Sequence, residues 1–331
     1  MNVRAVLVLL LMAPAVRAEP KSQRERDVAV WTMSVGGQVR IDGFDELFYT
    51  LMGFPKPDES VVIHAIVLRN TDVGDADLSR LEGLGQLRRL ELDHTSLSDQ
   101  GLDSVAGLTT LRVLNLERTR ITDAGLSKLK RLERLRDLDL SETEITGTGL
   151  AHLRGMTDLT RIGLDGTKLV DKELVHVGRL RALRELDLTD TPIGDRGMAH
   201  LASLEHLEGL WIADTRITDA GLKHLAGLKK LRWLKLPKQI TDAGLKHLAG
   251  LSNLRRLDLR GTRITDAGLV HLKGLSHLRE LWLQQTHVSD TGLVHLATLR
   301  HAEVINLEGT RATARGVAKL IDEMPSTRIV R

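Results

Sequence analysis

The sequence predicts an α/β solenoid, an arc in which a parallel sheet lines the concave side and short helices lie on the convex side. Two observations carry this prediction. A phrase of 23 or 24 residues returns along most of the chain, and inside each copy the spacing of the apolar residues changes from two to three. A fixed period of about 20–50 residues is typical of solenoids, in which each repeat buries its apolar face only against its neighbours.

The phrase is clearest from Leu111 to Leu132, which reads Leu-x-x-Leu-x-Leu-x-x-Thr-x-Ile-Thr-Asp-x-Gly-Leu-x-x-Leu-x-x-Leu. Further copies start at Leu87, Leu135, Leu159, Leu183, Leu207, Leu231, Leu254 and Leu278, and weaker copies start at Ile63 and Ala302. We therefore expect about eleven repeats over residues 63–324.

Each repeat is predicted to hold one strand and one short helix. In residues 114–116 and 138–140 two leucines flank a polar residue, which is the period of a half-buried strand. Leucines three apart then follow, as at Leu126, Leu129 and Leu132, and they predict one or two helical turns with an apolar stripe. Parallel stacking of these units gives the curved inner sheet and the outer helices.

An aspartate precedes the predicted helix in nine repeats. Such a carboxylate, usually with Thr or Ser before it, suits the free amides and the positive end of a helix. We therefore interpret the column as helix caps and not as a catalytic or calcium-binding array. Its members are Asp75, Asp99, Asp123, Asp171, Asp195, Asp219, Asp242, Asp266 and Asp290.

A threonine follows the strand in ten repeats. Parallel stacking leaves backbone groups of that turn in need of partners, and we expect each hydroxyl to bridge adjacent turns of the stack. The column consists of Thr71, Thr95, Thr119, Thr143, Thr167, Thr191, Thr215, Thr262, Thr286 and Thr310.

The repeats resemble the leucine-rich repeat family. The phrase Thr-x-Ile-Thr-Asp-Ala-Gly-Leu-x-x-Leu, intact at 119–129, 215–225 and 262–272, is most similar to secreted bacterial leucine-rich repeat proteins and more distantly to the cysteine-containing repeats of F-box proteins. The chain departs from the F-box relatives by its Thr in place of Cys or Asn and by the lack of an F-box-sized helical segment. The resemblance implies a horseshoe with a binding concave face, and it names no ligand.

Residues 1–18 predict a secretory signal peptide. Arg4 supplies positive charge, residues 5–16 are mostly apolar, and Val16-Arg17-Ala18 fits a small-residue cleavage site. The apolar stretch is shorter than the roughly 20 residues that span a bilayer, and an uncleaved anchor is the competing interpretation. We expect an exported protein, in the periplasm, the cell envelope or the medium, without a transmembrane helix.

Composition excludes several classes of partner and chemistry. The net charge is +3, and it falls to +1 without residues 1–18 because Arg4 and Arg17 leave. Nearly balanced charge argues against a nucleic-acid partner, which calls for a basic stripe. The chain has no cysteine, so disulfides, thiol catalysis and thiolate metal sites are excluded.

The two ends are predicted to cap the open solenoid. Residues 19–62 form the N-terminal capping region, with a helical stretch at 21–35 and an edge strand at 38–41, and residues 325–331 add a C-terminal strand after a longer helix at 313–324. The aromatic cluster of residues 44–54 is interpreted as a plug over the first repeat, with a separate ligand site as the alternative.

The candidate ligand-binding residues follow from the strand register, since the residues between leucines face the concave side. Three of the four tryptophans fall there, and a solvent-facing strand position has no structural need for Trp. Large aromatic side chains beside cations are the usual composition of binding hot spots. The alternative is that the rings only cover neighbouring leucines or stack on arginine stems. The predicted site consists of Trp211, Trp233, Lys235, Arg256, Arg260 and Trp282.

A second candidate surface is acidic and lies on the earlier strands. Its predicted members are Glu91, Asp93, Asp137, Asp139 and Asp187, with Glu117, Asp165 and Glu185 beside them. An edge column of arginines runs along the same strands, at Arg88, Arg112, Arg136, Arg184, Arg232, Arg255 and Arg279. These arginines either pair with the acids or leave an acidic surface that steers a basic partner.

One repeat is a residue short. From Leu236, the stretch Pro237-Lys238-Gln239 reaches Ile240 early and omits the column threonine. We expect a local kink at this repeat.

Seven histidines occupy one helix position in consecutive repeats. They are predicted to be surface packing residues, because neighbouring helices about 8–10 Å apart cannot bring the rings to one zinc ion; a weak metal or pH response is the alternative. The column consists of His152, His176, His200, His224, His247, His271 and His295.

The sequence thus predicts a non-enzymatic module that binds a protein through its concave face. No nucleophile elbow, phosphate loop, dinucleotide fingerprint or zinc-protease motif stands outside the repeats, and we expect no cofactor and no metal. Glycan or peptidoglycan binding by the tryptophans and a purely structural envelope module are the alternatives.

Overall fold

A computed structural model describes residues 20–56 and 58–331, with side chains from residue 23 onward. The predicted signal peptide at 1–18 lies outside the described residues. The described residues contain a single sheet whose strands follow one another in chain order. These strands are β1 (Gln38–Ile41), β2 (Ile63–Val67), β3 (Arg89–Glu91), β4 (Val113–Asn115), β5 (Asp137–Asp139), β6 (Arg161–Gly163), β7 (Glu185–Asp187), β8 (Gly209–Trp211), β9 (Trp233–Lys235), β10 (Arg256–Asp258), β11 (Glu280–Trp282), β12 (Val304–Asn306) and β13 (Arg328–Val330).

The sheet is parallel from β2 to β13, and only β1 joins antiparallel, at the N-terminal edge. Each strand pairs with the next at the same repeat position, as Leu114 with Leu138 and Leu257 with Leu281. The open parallel sheet with helices on one side confirms the predicted α/β solenoid.

Short helices return the chain from one strand to the next. The N-terminal helix and the C-terminal helix are Pro20–Ser34 and Ala314–Glu323, and between them lie Leu102–Val105, Asp123–Leu126, Leu174–Val177, Asp195–Leu201, Asp219–Leu222, Asp242–Leu245, Asp266–Leu269 and Asp290–Leu296. Turns of 3₁₀ helix continue or replace them at Asp75–Leu81, Ser127–Arg131, Thr148–Gly155, Asp171–Glu173, Lys223–Leu225, Lys246–Leu248 and Val270–Gly274. Within residues 20–56 and 58–331, no helix is long and apolar enough to cross a bilayer.

The leucines of the phrase form one continuous core between the sheet and the helices. In the repeat that starts at Leu111 the apolar positions of strand and helix, Leu114, Leu116, Leu126 and Leu129, have no exposed surface. Burial of such a side chain contributes about 1.5–3 kcal/mol relative to an exposed one. Repetition of this set along the chain stabilises the fold without a central aromatic core.

The aspartate column links neighbouring repeats. Asp219 accepts a hydrogen bond of 2.9 Å from the backbone N–H of Thr241 and one of 2.6 Å from its hydroxyl, one repeat further on. The Thr241 hydroxyl in turn accepts from the N–H of Ala243 and caps the next helix. The predicted capping role therefore belongs to the Thr or Ser, and the aspartate holds that residue from the preceding repeat.

The threonine column does not bridge adjacent turns, contrary to the prediction. The Thr119 hydroxyl donates to the carbonyl oxygen of Leu116 at 2.6 Å, within its own repeat. Thr167 and Thr262 do the same with Leu164 and Leu259. The hydroxyl reaches the carbonyl oxygen three residues earlier because the residue directly before the threonine has a left-handed conformation, as Arg118 does with φ 53°. The column therefore closes the turn of each repeat.

The N-terminal region covers the first parallel strand. Arg26 donates to the carbonyl oxygens of Pro55 at 2.7 Å and Glu59 at 2.8 Å, and Glu25 accepts from the N–H of Ile63 at 2.6 Å. These contacts fasten Pro55 and Glu59 to the N-terminal helix, and the helix to the start of β2. The division of the chain into caps and repeats stays a prediction.

Candidate binding surface on the concave sheet

The strand register places the candidate residues in two neighbouring columns. Trp211 on β8 pairs with Lys235 on β9, which aligns with Asp258 on β10, and Asp258 aligns with Trp282 on β11. The second column, two residues earlier, contains Trp233 and Arg256, with Gly209 and Glu280 at its ends. Alternation along a strand puts both columns on the same face, opposite the leucines.

All six predicted residues line one concave depression of about 470 Å³, which we name the tryptophan surface. It consists of Trp211, Trp233, Lys235, Arg256, Arg260 and Trp282, with Glu185, Leu234 and Asp258 between them. The three indoles are half-buried. They therefore present apolar area to solvent and are held by the sheet beneath them.

Gly209 makes room for two of the indoles. A Cβ atom at this position would lie 2.7 Å from Trp211 Cη2 and 3.1 Å from Trp233 Cε3. Both rings therefore close over the same backbone site, and any side chain there must displace them. Nothing in the repeat phrase marks this glycine, and only the geometry of the rings reveals its role.

Two of the three predicted cations are neutralised within the surface. Arg256 Nε lies 2.9 Å from Glu280 Oε1, and Arg260 Nη2 lies 2.6 Å from Asp258 Oδ2. The hydrogen bond with Asp258 raises the pKa of Arg260. Lys235 has neither an ion pair nor a side-chain hydrogen bond within the described chain.

A second depression of about 290 Å³ adjoins the first at the short repeat. The two share Lys235, Asp258 and Arg260, and Lys238 and Asp214 line the further side. The strand register is kept on both sides of β9, so the missing residue is absorbed in the turn after the strand and not in the sheet.

The acidic surface consists of Glu91, Asp93, Asp137, Asp139 and Asp187, and the structure neutralises part of it. Arg69 and Arg89 both form ion pairs with the buried Glu91. Arg161 lies 2.9 Å from Asp137 and 3.2 Å from Asp139. Asp187 accepts a hydrogen bond of 2.9 Å from the N–H of Thr189.

The predicted pairing of these acids with the edge arginines is wrong within the described residues. Arg184 and Arg232 both contact Glu208, and Arg279 lies 2.9 Å from Glu303, all at the edge of the sheet. The concave acids are paired instead by Arg69, Arg89 and Arg161, which stand on or beside the strands. Register predicted the columns, but not which arginine reaches which carboxylate.

Uncompensated negative charge remains between the paired acids. Burial, with Asp139 nearby, raises the pKa of Glu117. Burial, with Asp187 and Asp139 nearby, also raises the pKa of Asp165, although Ser141 donates to its carboxylate. Glu117 and Asp165 lie beside the acidic surface and form no ion pair within the described residues, so this part of the sheet keeps carboxylates without a cationic partner.

The histidine column lies on the convex side. His176 Nε2 is 3.4 Å from Glu173 Oε2, and burial lowers the pKa of His247. Among the described residues, no group of three or more His, Asp or Glu side chains is placed to hold a metal ion.

The aromatic cluster of residues 44–54, predicted as a plug over the first repeat, packs partly on itself, and Phe48 and Phe54 lie partly buried against the core. Phe48 forms edge-to-face contacts with Phe44 and Phe54, with ring centroids 5.1 and 5.6 Å apart. Tyr49 and Met52 are exposed. Whether this cluster also binds a ligand stays a hypothesis.

Comparison with protein-family models identifies the type of repeat in this chain. A family model described as "Leucine-rich repeat region" matches residues 98–289. None of the curated proteins compared matches the chain.

Several solved structures share the fold. An internalin C2 from Listeria monocytogenes is 30% identical with a TM-score of 0.51, and the match covers 63% of this chain and 83% of that one. The internalin InlF of the same organism is 22% identical with a TM-score of 0.55, covering 85% and 92%. The ectodomain of the Arabidopsis thaliana receptor kinase GASSHO1/SCHENGEN3, in complex with CASPARIAN STRIP INTEGRITY FACTOR 2, is 17% identical with a TM-score of 0.55, covering 82% and 38%.

Proposed function

Because the chain belongs to the leucine-rich repeat family, we propose that it is a non-enzymatic module that holds a protein partner on its concave face, with the tryptophan surface as the main contact. Solenoids of this kind offer an extended curved surface for binding. The single observation that carries the proposal is the group of three half-buried indoles in one concave depression.

The indoles suit an interface better than a structural role. The core beneath them is complete without aromatic rings, because Leu210, Leu234 and Leu281 are already buried under the strands. Rigid aromatic side chains bury a large area at low entropic cost, and Trp is enriched among the residues that dominate binding energy. Loss of such a residue typically costs 2 kcal/mol or more, about 30-fold in affinity.

The acidic surface gives the partner an orientation. Carboxylates in excess on the earlier strands attract a basic region of the partner, while the tryptophan surface buries an apolar one. Charge of this kind acts mainly on the association rate and weakens with salt.

Two alternatives remain and are separated by the same assay. A glycan or peptidoglycan partner would stack its sugar rings on the indoles, survive high salt and be displaced by soluble sugars. A structural envelope module would hold nothing on the concave face. The proposal includes an exported location, which residues 1–18 predict. The partner is therefore sought in an envelope extract.

The test is a pull-down from envelope extract with the purified protein and with the triple variant Trp211→Ala, Trp233→Ala, Trp282→Ala. Trp31→Ala is the matched control, because Trp31 lies at the N-terminal helix, where Arg80 stacks on its ring. We expect a protein that the wild type and the control retain and the triple variant loses. Retention by all three would place binding elsewhere, and retention by none would favour the structural module.

A further inference from the structure

We infer that the tryptophan surface takes a carboxylate group of the partner, held by the ammonium group of Lys235 and flanked by apolar side chains that lie on the indoles. This inference rests on the proposed function and specifies the chemistry that the surface recognises. Its basis is an excess of free hydrogen-bond donors at the site.

The ammonium group of Lys235 and the three indole N–H groups lack partners among the residues that the structure describes. Lys235 lies between Trp211 and Asp258 in its column, yet no carboxylate within the described chain pairs with it. The indole N–H groups of Trp211, Trp233 and Trp282 likewise make no hydrogen bond to the residues that the structure describes. An ammonium has three donors and an indole has one, and neither side chain accepts.

The acceptors at the same site are already occupied. Asp258 accepts from Arg260 through both oxygens, at 2.9 Å to Nε and 2.6 Å to Nη2. Glu280 is paired with Arg256, and Glu185 lies 3.7 Å from Arg161. A ligand therefore finds donors without acceptors, which favours an anionic acceptor over an amide or a cation.

Position makes Lys235 the centre of this recognition. It lines both the tryptophan depression and the adjoining depression at the short repeat. Apolar rings beside the ammonium exclude water on ligand binding, and a charge-assisted hydrogen bond strengthens in such surroundings. A carboxylate between two apolar side chains matches both features, whether it is a side chain or a chain terminus.

The probe is a set of four short peptides, read by the indole N–H signals in nuclear magnetic resonance titrations of the full protein. Acetyl-Leu-Asp-Leu-amide and acetyl-Leu-Asn-Leu-amide differ only in the side-chain carboxylate. Acetyl-Leu-Leu with a free carboxyl terminus and acetyl-Leu-Leu-amide test the terminal carboxylate. We expect the carboxylate member of at least one pair to bind about tenfold tighter than its amide, since a hydrogen bond to a charged group contributes more than one to a neutral group.

Lys235→Met removes the charge and keeps most of the stem, and it is expected to abolish the preference for the carboxylate. Lys238→Met is the matched control, because Lys238 is a nearby lysine already paired with Asp214 at 3.0 Å. The control variant should keep the preference. If the peptides still shift the indole N–H signals of both variants, the tryptophan surface is still formed in those proteins.

The outcomes separate the two proposals. Equal binding of carboxylate and amide peptides, with indole shifts in both cases, would overturn the carboxylate inference and leave the apolar contact of the proposed function standing. A preference that survives Lys235→Met would overturn the role of Lys235. A partner lost by the tryptophan triple variant but unaffected by Lys235→Met would support the proposed function alone.

Discussion

The side-chain amide of Gln239 donates a hydrogen bond of 2.5 Å to the carbonyl oxygen of Ile217. In complete repeats a backbone N–H fills this position, as Arg216 does for Ile193 and Arg263 for Ile240. The short repeat lacks one residue, and a side chain replaces the lost backbone donor. The stack therefore continues through the shortened turn without a buried carbonyl losing its partner.

Gln239→Ala should destabilise the protein by about 1–2 kcal/mol, because it removes this bond and the one of 2.8 Å to the carbonyl oxygen of Thr215. Chemical denaturation measures the change in the free energy of unfolding. Gln100→Ala is the control, since that exposed side chain makes no hydrogen bond within the described residues. If the two variants were equally stable, the Gln239 side chain would not be replacing the missing backbone donor.

The contacts between repeats give a second prediction. Asp123 accepts hydrogen bonds from the hydroxyl of Thr146 at 2.6 Å and from the backbone N–H groups of Gly147 and Gly149 at 3.0 and 2.8 Å. Burial alone would raise the pKa of Asp123, but these hydrogen bonds outweigh it and lower the pKa below the ordinary 3.8. A carboxyl with a lowered folded-state pKa stabilises the fold above its unfolded pKa and loses that contribution as pH falls through the folded value.

Asp123→Asn should therefore cost about 1–2 kcal/mol at neutral pH, and the difference from wild type should shrink as pH falls below 3.8. Melting temperatures of both proteins between neutral pH and pH 3 measure it. Asp158→Asn serves as control, because Asp158 is exposed and has no partner among the described residues. A difference independent of pH would show that the carboxylate charge is not what links the repeats.

A carboxylate beside the acidic surface gives a third prediction, in which ionisation destabilises the fold instead of stabilising it. The pKa of Glu117 is raised by burial and by Asp139, so the ionised form opposes folding at neutral pH. The penalty shrinks as pH falls through the folded-state pKa and is lost below the ordinary value of 4.5. Glu117→Gln should raise the free energy of unfolding at pH 7 by less than about 1 kcal/mol, since solvent screens a partly exposed group. At pH 4 the gain should be smaller. Glu205→Gln is the control, because Glu205 is exposed, and it should leave the free energy of unfolding unchanged. A loss of stability in Glu117→Gln would show that the Glu117 carboxylate does not oppose folding.

The repeat made much of the molecule predictable. A period of two on each strand and an equal repeat length fix which side chains share a column, and so the sequence alone placed Trp211, Lys235 and Trp282 on one face. What remained hidden depends on distances across repeats. Asp219 and Thr241 are both short polar residues of the turn, and only stacking decides which one reaches the neighbouring repeat.

The sequence could not predict which carboxylate each arginine pairs with, for a similar reason. A flexible arginine reaches several carboxylates, and its choice depends on side-chain conformation and not on register. The sequence therefore predicted three cations beside the indoles, where the structure leaves only Lys235 unpaired within the described chain. Nothing in the sequence marked Gly209, because its function depends on the position of two rings.

Gly209→Ala should disturb the tryptophan surface without unfolding the protein. The added methyl group would lie 2.7 Å from the Trp211 ring, so both indoles must move outward, while the backbone keeps its strand conformation. We expect the tryptophan emission maximum to shift to longer wavelength, because the rings gain exposure to water, with a stability change below about 1 kcal/mol.

Gly227→Ala provides the matched control, because a Cβ atom at that glycine has nothing within 4 Å. The control should leave both the emission and the indole N–H signals unchanged. If Gly209→Ala and Gly227→Ala gave the same spectra, the two indoles would not be packed over Gly209. If Gly209→Ala shifted the spectra but left partner binding intact, the surface would tolerate moved rings, and binding would depend on the apolar area of the indoles more than on their fixed positions.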